Sequence, residues 1–283
     1  MIADILHNSQ HTPCKISPEN FYIGHLIRPG MKHAIKKIGD MSDDANVYKL
    51  VDYMYEARFT GTYWQLLKSG WLGIDKEVFL RELLNCNRSD KEIYEVFLRV
   101  HPEVTEDTVL GDKNPGHLYH VPTLMEWFPQ AKVIHTFRDP RAILASEWAK
   151  RVSSKPTSSL SALLNPFHSL LVVLHVTVTW LYAVRLHYRY QKQYPQNYYL
   201  SKYEDIVTDP DKSIRQLCDF LEVQFHPEML KPRKVDSSYL HDEKGSGFDQ
   251  RAITRWQQHL KPWMSRWLSF WGKKYLREFG YTL

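Results

Sequence analysis

The stretch Phe128–Ser146, FPQAKVIHTFRDPRAILAS, decides the fold prediction for this 283-residue chain. Within it, Val133–Phe137 is a short apolar run bounded by a turn, as is typical of a buried parallel strand. Arg138 and Arg141 follow this run, and Ser146 lies eight residues after Arg138 on a predicted helix. Guanidinium groups and a hydroxyl near a helix N-terminus suit a bound phosphate. The alternative is that Arg138 pairs with a neighbouring carboxylate and that Ser146 is a surface residue.

Strands and helices alternate on both sides of this stretch. Thr108–Leu110 is predicted as a short strand that ends in the sequence GDKNP, and Tyr198–Ser201 as a later strand. Helices are predicted over 117–128, 142–150 and 177–191, and from Pro210 after the capping residue Asp209. This alternation predicts an α/β fold with a parallel sheet covered by helices on both faces. Ligands of such sheets bind at the carboxyl ends of the strands, where GDKNP and RDPR both fall.

Composition narrows the class of protein. The chain is 43% hydrophobic and 24% charged, which is ample for a core in one or two domains. Its net charge of +5 is mild; it fits an enzyme with an anionic ligand and does not indicate a nucleic-acid partner. The cysteines Cys14, Cys86 and Cys218 are far apart, which argues against a disulfide framework and against a zinc site.

Charge and apolar length decide whether targeting or membrane segments are predicted. No basic region followed by an apolar run opens the sequence, so a signal peptide is not predicted. The most apolar stretch, His168–Leu186, is near membrane-spanning length but contains two histidines and an arginine. A buried core helix is therefore predicted in preference to a stable membrane span, with an interfacial segment as the intermediate alternative. The expected location is the cytoplasm.

Several motifs together resemble one enzyme family. Gly111–Pro115 (GDKNP) precedes the RDPR block, and YYLSKYEDIVTDPDKSIRQLCDFLEV follows at 198–223. The sequence KGSGFDQRAITRWQQHL stands at 244–260, and REFGY at 277–281. This series resembles the sulfotransferases that use 3'-phosphoadenosine 5'-phosphosulfate (PAPS), and is most similar to their bacterial and tyrosylprotein-type branches. The resemblance runs from about residue 108 to the end.

The resemblance implies a fold, a co-substrate and a set of binding residues. It implies a single domain over 1–283 with a P-loop NTPase-like, three-layer α/β/α architecture and a mostly parallel central sheet. By matched position, Arg138 and Ser146 hold the 3'-phosphate of PAPS, with Arg141 in the same block. Lys244 and Gly245 resemble a late contact with the same group. The sulfuryl group passes to a hydroxyl or an amine, and no metal is required.

The resemblance also implies catalytic residues. Lys113 matches a lysine near the transferring sulfate, where its charge would stabilise the bridging oxygen. Glu19, in a weaker N-terminal match, stands where one branch places the base that takes the acceptor proton. His117, four residues after Lys113, is the second candidate base. Each has a structural alternative: Lys113 as a solvated lysine, Glu19 as a capping carboxylate, and His117 as one of 14 histidines.

The family's loop for the 5'-phosphosulfate has no counterpart ahead of the first predicted helix. That loop has the form Gly-x-x-Arg-Ser-Gly-Thr-Thr, and its backbone N–H groups cradle the phosphosulfate. The nearby Ser-Gly sequence, in Lys68–Gly70, is a poor substitute for this loop because no predicted strand precedes it. The expectation is an N-terminally incomplete domain without its first strand. The alternatives are a non-catalytic relative that binds 3',5'-ADP or a similar nucleotide, and another nucleotide-dependent transferase with the same sheet.

The acceptor side is predicted from two segments. The Ser-rich stretch Val152–Asn165 is a candidate lid, and Met31–Leu84 is rich in Tyr and Trp. Aromatic rings stack on sugars or apolar ligands, although at helical spacing they are more often core residues. A carbohydrate, a peptide tyrosine and a small alcohol all stay open as acceptors, and the sequence makes no prediction of the oligomeric state.

Overall fold

The computed structural model describes residues 2–7, 14–25, 30–59, 61–153, 165–231 and 248–283. Its contacts cluster into two compact units: an N-terminal unit, Ile2–Ala131, and a C-terminal unit, Lys132–Leu283. The single domain over residues 1–283 stays a prediction. Lys244 and Gly245, and residues 154–164 of the predicted lid, lie outside the described residues.

The N-terminal unit is mostly helical and contains one pair of strands. Its elements are α1 (Ile2–His7), β1 (Cys14–Ser17), α2 (Met31–Ile38), α3 (Asp44–Tyr55), α4 (Thr62–Lys68), α5 (Lys76–Asn85), α6 (Asp90–Arg99), β2 (Val109–Asp112), a 3-10 helix (Pro115–His120) and α7 (Val121–Trp127). β1 and β2 are parallel, with Cys14 opposite Val109 and Ser17 opposite Asp112. Helix starts follow side-chain caps: Asp43, Asp75 and Ser89 each accept a backbone N–H of the following turn.

Aromatic side chains form much of the core of this unit. Tyr63 and Trp64 lie on α4 and are buried, and Phe79 and Phe97 stack with ring centroids 5.7 Å apart. The prediction that aromatics at helical spacing are core residues is confirmed for Tyr63 and Trp64, whereas Tyr48 is 52% exposed. Trp71 is an exception, because it lies in the turn after α4 and its side chain is 72% exposed.

The C-terminal unit carries the predicted strand–turn–helix. Its elements are β3 (Val133–Phe137), α8 (Pro140–Ser153), α9 (Asn165–Gln193), β4 (Tyr198–Lys202), α10 (Tyr203–Thr208), α11 (Pro210–Leu221), two 3-10 helices (Pro227–Leu230 and Gln250–Ile253), α12 (Trp256–His259) and α13 (Pro262–Glu278). β3 and β4 are parallel, with Phe137 opposite Lys202. The parallel α/β class is confirmed, and the described strands pair as two two-stranded sheets.

Most predicted elements of this unit agree with the structure. β3 has the predicted bounds, α11 begins at Pro210 after Asp209, whose side chain accepts the Lys212 N–H, and β4 extends one residue beyond the prediction. The strand Cys14–Ser17 of the other unit was not predicted. It is only four residues long and contains Lys15 and Ser17, so its apolar pattern is weak, and pairing with β2 is what defines it.

The long helix α9 combines core packing with an apolar composition. Val172, Val173 and Val176 are buried in a cluster that also contains Leu144 and Met264. Its segment Ser169–Gln193 is long and apolar enough to cross a membrane by length and composition, with 44% of the most apolar window buried inside the structure.

Candidate functional site

Two predicted catalytic residues meet at the carboxyl ends of β1 and β2. Ser17 and Asp112 are opposite each other in the parallel register, so the residues that follow them emerge at the same edge. Glu19 comes shortly after β1 and Lys113 directly after β2, and the Lys113 Nζ donates a hydrogen bond to Glu19 Oε1. Their side chains are 28% and 57% exposed, so solvent reaches the pair.

The backbone of Glu19 is held by the start of α4. The Tyr63 N–H donates to the Glu19 carbonyl at 3.1 Å, and the Trp64 indole donates to the Asn20 carbonyl at 2.9 Å. Gly61 has a φ of +138°, and a Cβ on it would lie 2.6 Å from the Glu19 carbonyl oxygen. Only glycine permits this approach without a shift of the Glu19 backbone.

A buried carboxylate ties the loop after β1 to the loop after β2. The Asp112 Oδ2 accepts a hydrogen bond from Asn20 Nδ2 at 3.0 Å and one from the Tyr94 hydroxyl at 2.8 Å. Burial raises the pKa of Asp112, while His117 and the two hydrogen bonds oppose that rise. Because Asn20 follows Glu19 and Asp112 precedes Lys113, the bond between Asn20 and Asp112 helps to fix the spacing of Glu19 and Lys113.

His117, the second candidate base, is directed at the same buried carboxylate. Its Nε2 lies 3.4 Å from Asp112 Oδ2, and its side chain is 14% exposed. Burial lowers the pKa of His117, and the charge of Asp112 partly opposes this effect. Glu19 is therefore the more accessible of the two candidate bases, and the assignment of the base stays a prediction.

An open cavity of about 650 Å³ lies in the same unit, close to the backbone of Glu19. Gly61, which contacts the Glu19 carbonyl, is part of its wall. The wall joins two phenyl rings to polar side chains; it is formed by Phe21, Ala57, Arg58, Phe59, Gly61, Thr62 and Gln65. Phe21 and Ala57 have φ values of 52° and 55°, a strained conformation that clusters at ligand sites.

Arg138 lies at the carboxyl end of β3 in the C-terminal unit. Its guanidinium stacks on the Tyr203 ring at 4.1 Å, and its Nη2 donates to the Ala252 carbonyl at 3.1 Å. Its own carbonyl accepts the Trp180 indole N–H at 3.1 Å. Across the described ranges, no carboxylate forms an ion pair with Arg138, and its Nε is buried without a hydrogen-bond partner. The guanidinium is thus fixed in place with its charge uncompensated by those residues.

Arg141 was predicted to bind the cofactor, and the structure places its guanidinium inside the unit. It pairs with Asp139 through Nε at 3.0 Å and Nη2 at 2.7 Å, and Nη2 also donates to the Thr282 carbonyl. The Trp256 ring covers it at 4.3 Å, and only 2% of the residue is exposed. Asp139 therefore pairs with Arg141, so the alternative pairing of Asp139 with Arg138 is not the one observed.

The turn Arg138–Arg141 is supported by two other motifs of the sequence. Glu204, directly after Tyr203, accepts the Asp139 N–H at 3.0 Å through Oε1. Its Oε2 accepts a hydrogen bond from the Tyr281 hydroxyl at 3.0 Å, and burial together with Glu204 raises the pKa of Tyr281. Tyr203, Glu204 and Tyr281 were missed as site residues, although the YED and GY sequences had marked them.

Ser146, the second predicted phosphate ligand, lies on α8, roughly two helical turns past Pro140. It is partly buried in the same unit as Arg138. Over the parts of the chain that the structure describes, no three His, Cys, Asp or Glu side chains are grouped as metal ligands would be.

Comparisons with known proteins identify the family and the fold of the chain. The profile of the Sulfotransferase family matches residues 47–227, which is more than half of the chain. The Sulfotransferase Domain from the Synechococcus PCC 7002 Olefin Synthase superposes with a TM-score of 0.50 at 20% identity, covering 89% of this chain and 81% of that one. That likeness shows the fold, and the chain belongs to the sulfotransferase family.

Two curated relatives are similar over a shorter region. Omega-hydroxy-beta-dihydromenaquinone-9 sulfotransferase Stf3 from Mycobacterium bovis is 33% identical over 110 residues, and Stf3 from Mycobacterium tuberculosis matches equally. The match covers 38% of this chain and 27% of each relative. The chain thus aligns with about a quarter of the length of these relatives.

Proposed function

We propose that this chain is a sulfotransferase that moves the sulfuryl group of PAPS to an acceptor hydroxyl by in-line transfer. The observation that carries the proposal is Arg138, a fixed guanidinium at the end of a parallel strand. It has no carboxylate partner among the described residues. A fixed, uncompensated cation of this kind is what a phosphate dianion requires. We assign to Arg138 and Ser146 the binding of the 3'-phosphate.

The roles of the other predicted residues follow from their positions. Arg141 is fully engaged by Asp139 and Thr282, so we propose that it shapes the turn that presents Arg138. Lys244 and Gly245 stay proposed phosphate contacts from the motif alone.

The chemistry that we propose uses the Glu19–Lys113 pair. The acceptor oxygen attacks sulfur as the bond from sulfur to the bridging phosphate oxygen breaks, and 3',5'-ADP leaves. Glu19 takes the proton of the acceptor hydroxyl, and the Lys113 ammonium stabilises the charge that develops on the bridging oxygen. Their contact in the structure holds both groups at one edge, with the acid–base group and the cation side by side. His117 is the alternative base.

The cavity near the Glu19 backbone has a wall of mixed polarity, which accommodates an acceptor that has both an apolar part and polar groups. Phe21 and Phe59 provide rings, while Thr62 and Gln65 provide polar groups at its wall. The relative Stf3 is named as a sulfotransferase of omega-hydroxy-beta-dihydromenaquinone-9. We therefore propose an alcohol or phenol on an apolar skeleton as the acceptor, ahead of a carbohydrate or a peptide.

Two measurements on the full chain test this function. Calorimetry with 3',5'-ADP is expected to show saturable binding, and transfer of labelled sulfate from PAPS to a panel of apolar alcohols and phenols is expected to show turnover. Binding without transfer would favour the second candidate, a non-catalytic nucleotide-binding relative. A folded protein that binds no 3',5'-ADP would contradict both.

A further inference from the structure

Helix α13 presents large apolar side chains on two faces. Met264, Leu268 and Leu276 are buried in the C-terminal unit, as expected for the inner face of an amphipathic helix. Outside that face, Phe270 is 72% exposed and Trp271, at its flank, is 53% exposed. The inner face accounts for the packing of α13, so the outer aromatic side chains need another explanation.

The outer aromatics form one continuous stripe. Trp263, Trp267, Phe270 and Trp271 recur at the spacing that places residues on the same side of a helix. Three of the rings are neighbours: the centroids of Trp267, which is partly buried against the core of the unit, and Trp271 are 5.8 Å apart, and those of Phe270 and Trp271 are 5.5 Å apart. A contiguous exposed patch of this kind marks an interaction surface, unlike a single exposed ring.

Basic side chains accompany this stripe. α13 and its capping residue contain five cations and the single carboxylate Glu278; the cations are Lys261, Arg266, Lys273, Lys274 and Arg277. All five are exposed; four lie on the outer side of the helix, and Lys261 precedes the helix. Within the described segments, no carboxylate forms an ion pair with any of them. The charge of this face is therefore available to an anionic partner.

We propose that the outer face of α13 docks on the surface of an anionic phospholipid bilayer and lies in the interface without spanning it. Tryptophan places its apolar ring and its N–H at the level of lipid headgroups, and nearby lysine and arginine attract anionic lipids. A second copy of this chain fits less well, because a symmetric contact would bring the same five cations face to face.

The neighbouring helix supports a lipid partner. α13 packs on α9, where a Cβ on Gly272 would lie 3.4 Å from the Trp180 ring. α9 itself exposes Leu171, Val178 and Tyr182 at spacings of seven and four residues, which again place them on one side of the helix. The C-terminal unit thus has two helices with exposed apolar stripes.

Vesicle co-sedimentation of the full chain tests this inference. Binding is expected to vesicles of phosphatidylcholine mixed with phosphatidylglycerol, to be weaker to phosphatidylcholine alone, and to fall as salt is raised. Two double variants are expected to weaken binding by about tenfold or more each. One combines Phe270→Ser with Trp271→Ser, and the other combines Lys273→Glu with Lys274→Glu. Tryptophan emission of the parent chain is expected to shift to shorter wavelength on binding.

Matched variants elsewhere serve as controls. Trp71→Ser removes a tryptophan of the N-terminal unit that is even more exposed than Trp271, and Lys36→Glu with Lys37→Glu makes the same charge change on α2. Both are expected to bind as the parent does. Equal loss in controls and α13 variants, or no binding of the parent chain to anionic vesicles, would overturn the proposal. The proposal would also be overturned if the parent chain bound no vesicles and instead formed a concentration-dependent dimer that the Phe270 and Trp271 changes abolish.

Discussion

The carboxyl ends of the two strand pairs differ in whether their cations are neutralised by a carboxylate. At the end of β1 and β2, Lys113 and Glu19 neutralise each other in a solvent-accessible pair. At the end of β3, Asp139 neutralises Arg141 inside the unit, whereas Arg138 has no carboxylate partner among the described residues. A neutral pair suits proton movement and charge that develops during a reaction, and a lone cation suits a ligand that is already anionic. In the proposed function, the first edge carries the chemistry and the second binds the phosphate.

The largest expected effect is a loss of stability on substitution of Arg141, the buried arginine of the second edge. Arg141→Ala leaves Asp139 as an uncompensated buried charge, so the free energy of unfolding is expected to fall by about 3–5 kcal/mol. Urea unfolding measures this loss. Arg215→Ala, which breaks an exposed ion pair with Asp211 in the same unit, is expected to cost less than about 1 kcal/mol. Similar losses for both variants would remove the structural role of Arg141.

At the first edge, Glu19→Gln tests the proposed base. Transfer of sulfate from PAPS is expected to slow by about 100-fold, because the amide accepts no proton, while 3',5'-ADP affinity stays within about twofold. Glu103→Gln, which alters another exposed carboxylate paired with a lysine in that unit, is expected to keep the parent rate. A parent-like rate in Glu19→Gln would instead favour His117 as the base.

Substitution of Gly61, which lies against the Glu19 carbonyl, is expected to have a smaller effect, and Gly70 provides the control. Gly61→Ala brings a Cβ to 2.6 Å from the Glu19 carbonyl, whereas Gly70→Ala meets no atom within 4 Å. Both glycines have positive φ, but Gly61, with φ +138° and ψ 151°, lies in a region that essentially only glycine adopts, so Gly61→Ala also adds more backbone strain than Gly70→Ala. Gly61→Ala is expected to cost about 1–2 kcal/mol more and to slow transfer. Equal unfolding free energies for both variants would contradict the tight approach.

A pH series sharpens the account of the β3–β4 pair. Burial and His187 lower the pKa of His135 to about 3, so the unfolded chain binds a proton that the folded chain excludes. The free energy of unfolding is therefore expected to fall as the pH drops from about 6.5 toward 3, by about 1.4 kcal/mol per pH unit from this residue. His135→Gln is expected to reduce that slope, and His175→Gln, an exposed histidine on α9, to keep it. Identical slopes in all three proteins would exclude this role of His135.

Local patterns predicted the second edge better than the first. β3 and α11 follow from an apolar run and from the Asp209–Pro210 start, both of which are signals within a few residues. The contact of Glu19 with Lys113 joins residues 94 positions apart, and β1 is too short to show a pattern of its own. Only the family resemblance brought Glu19 and Lys113 into one site.

The same limit explains why Arg138 and Arg141 were not distinguished. Both follow β3 in one short motif, and either could face a ligand from the sequence alone. The partners that separate them come from distant segments: Thr282 and Trp256 surround Arg141, while Tyr203 and Ala252 hold Arg138. Those partners depend on tertiary packing, which no local pattern contains.

Calorimetry of 3',5'-ADP binding to Arg138→Ala, beside the parent chain and Arg215→Ala, tests the central claim most directly. The account predicts at least about tenfold weaker binding for Arg138→Ala, about 1.4 kcal/mol, because a charge-assisted contact with the phosphate is lost. Arg215→Ala is expected to bind as the parent does. An affinity of Arg138→Ala equal to that of the parent would contradict the claim that the uncompensated guanidinium at the end of β3 is the phosphate site.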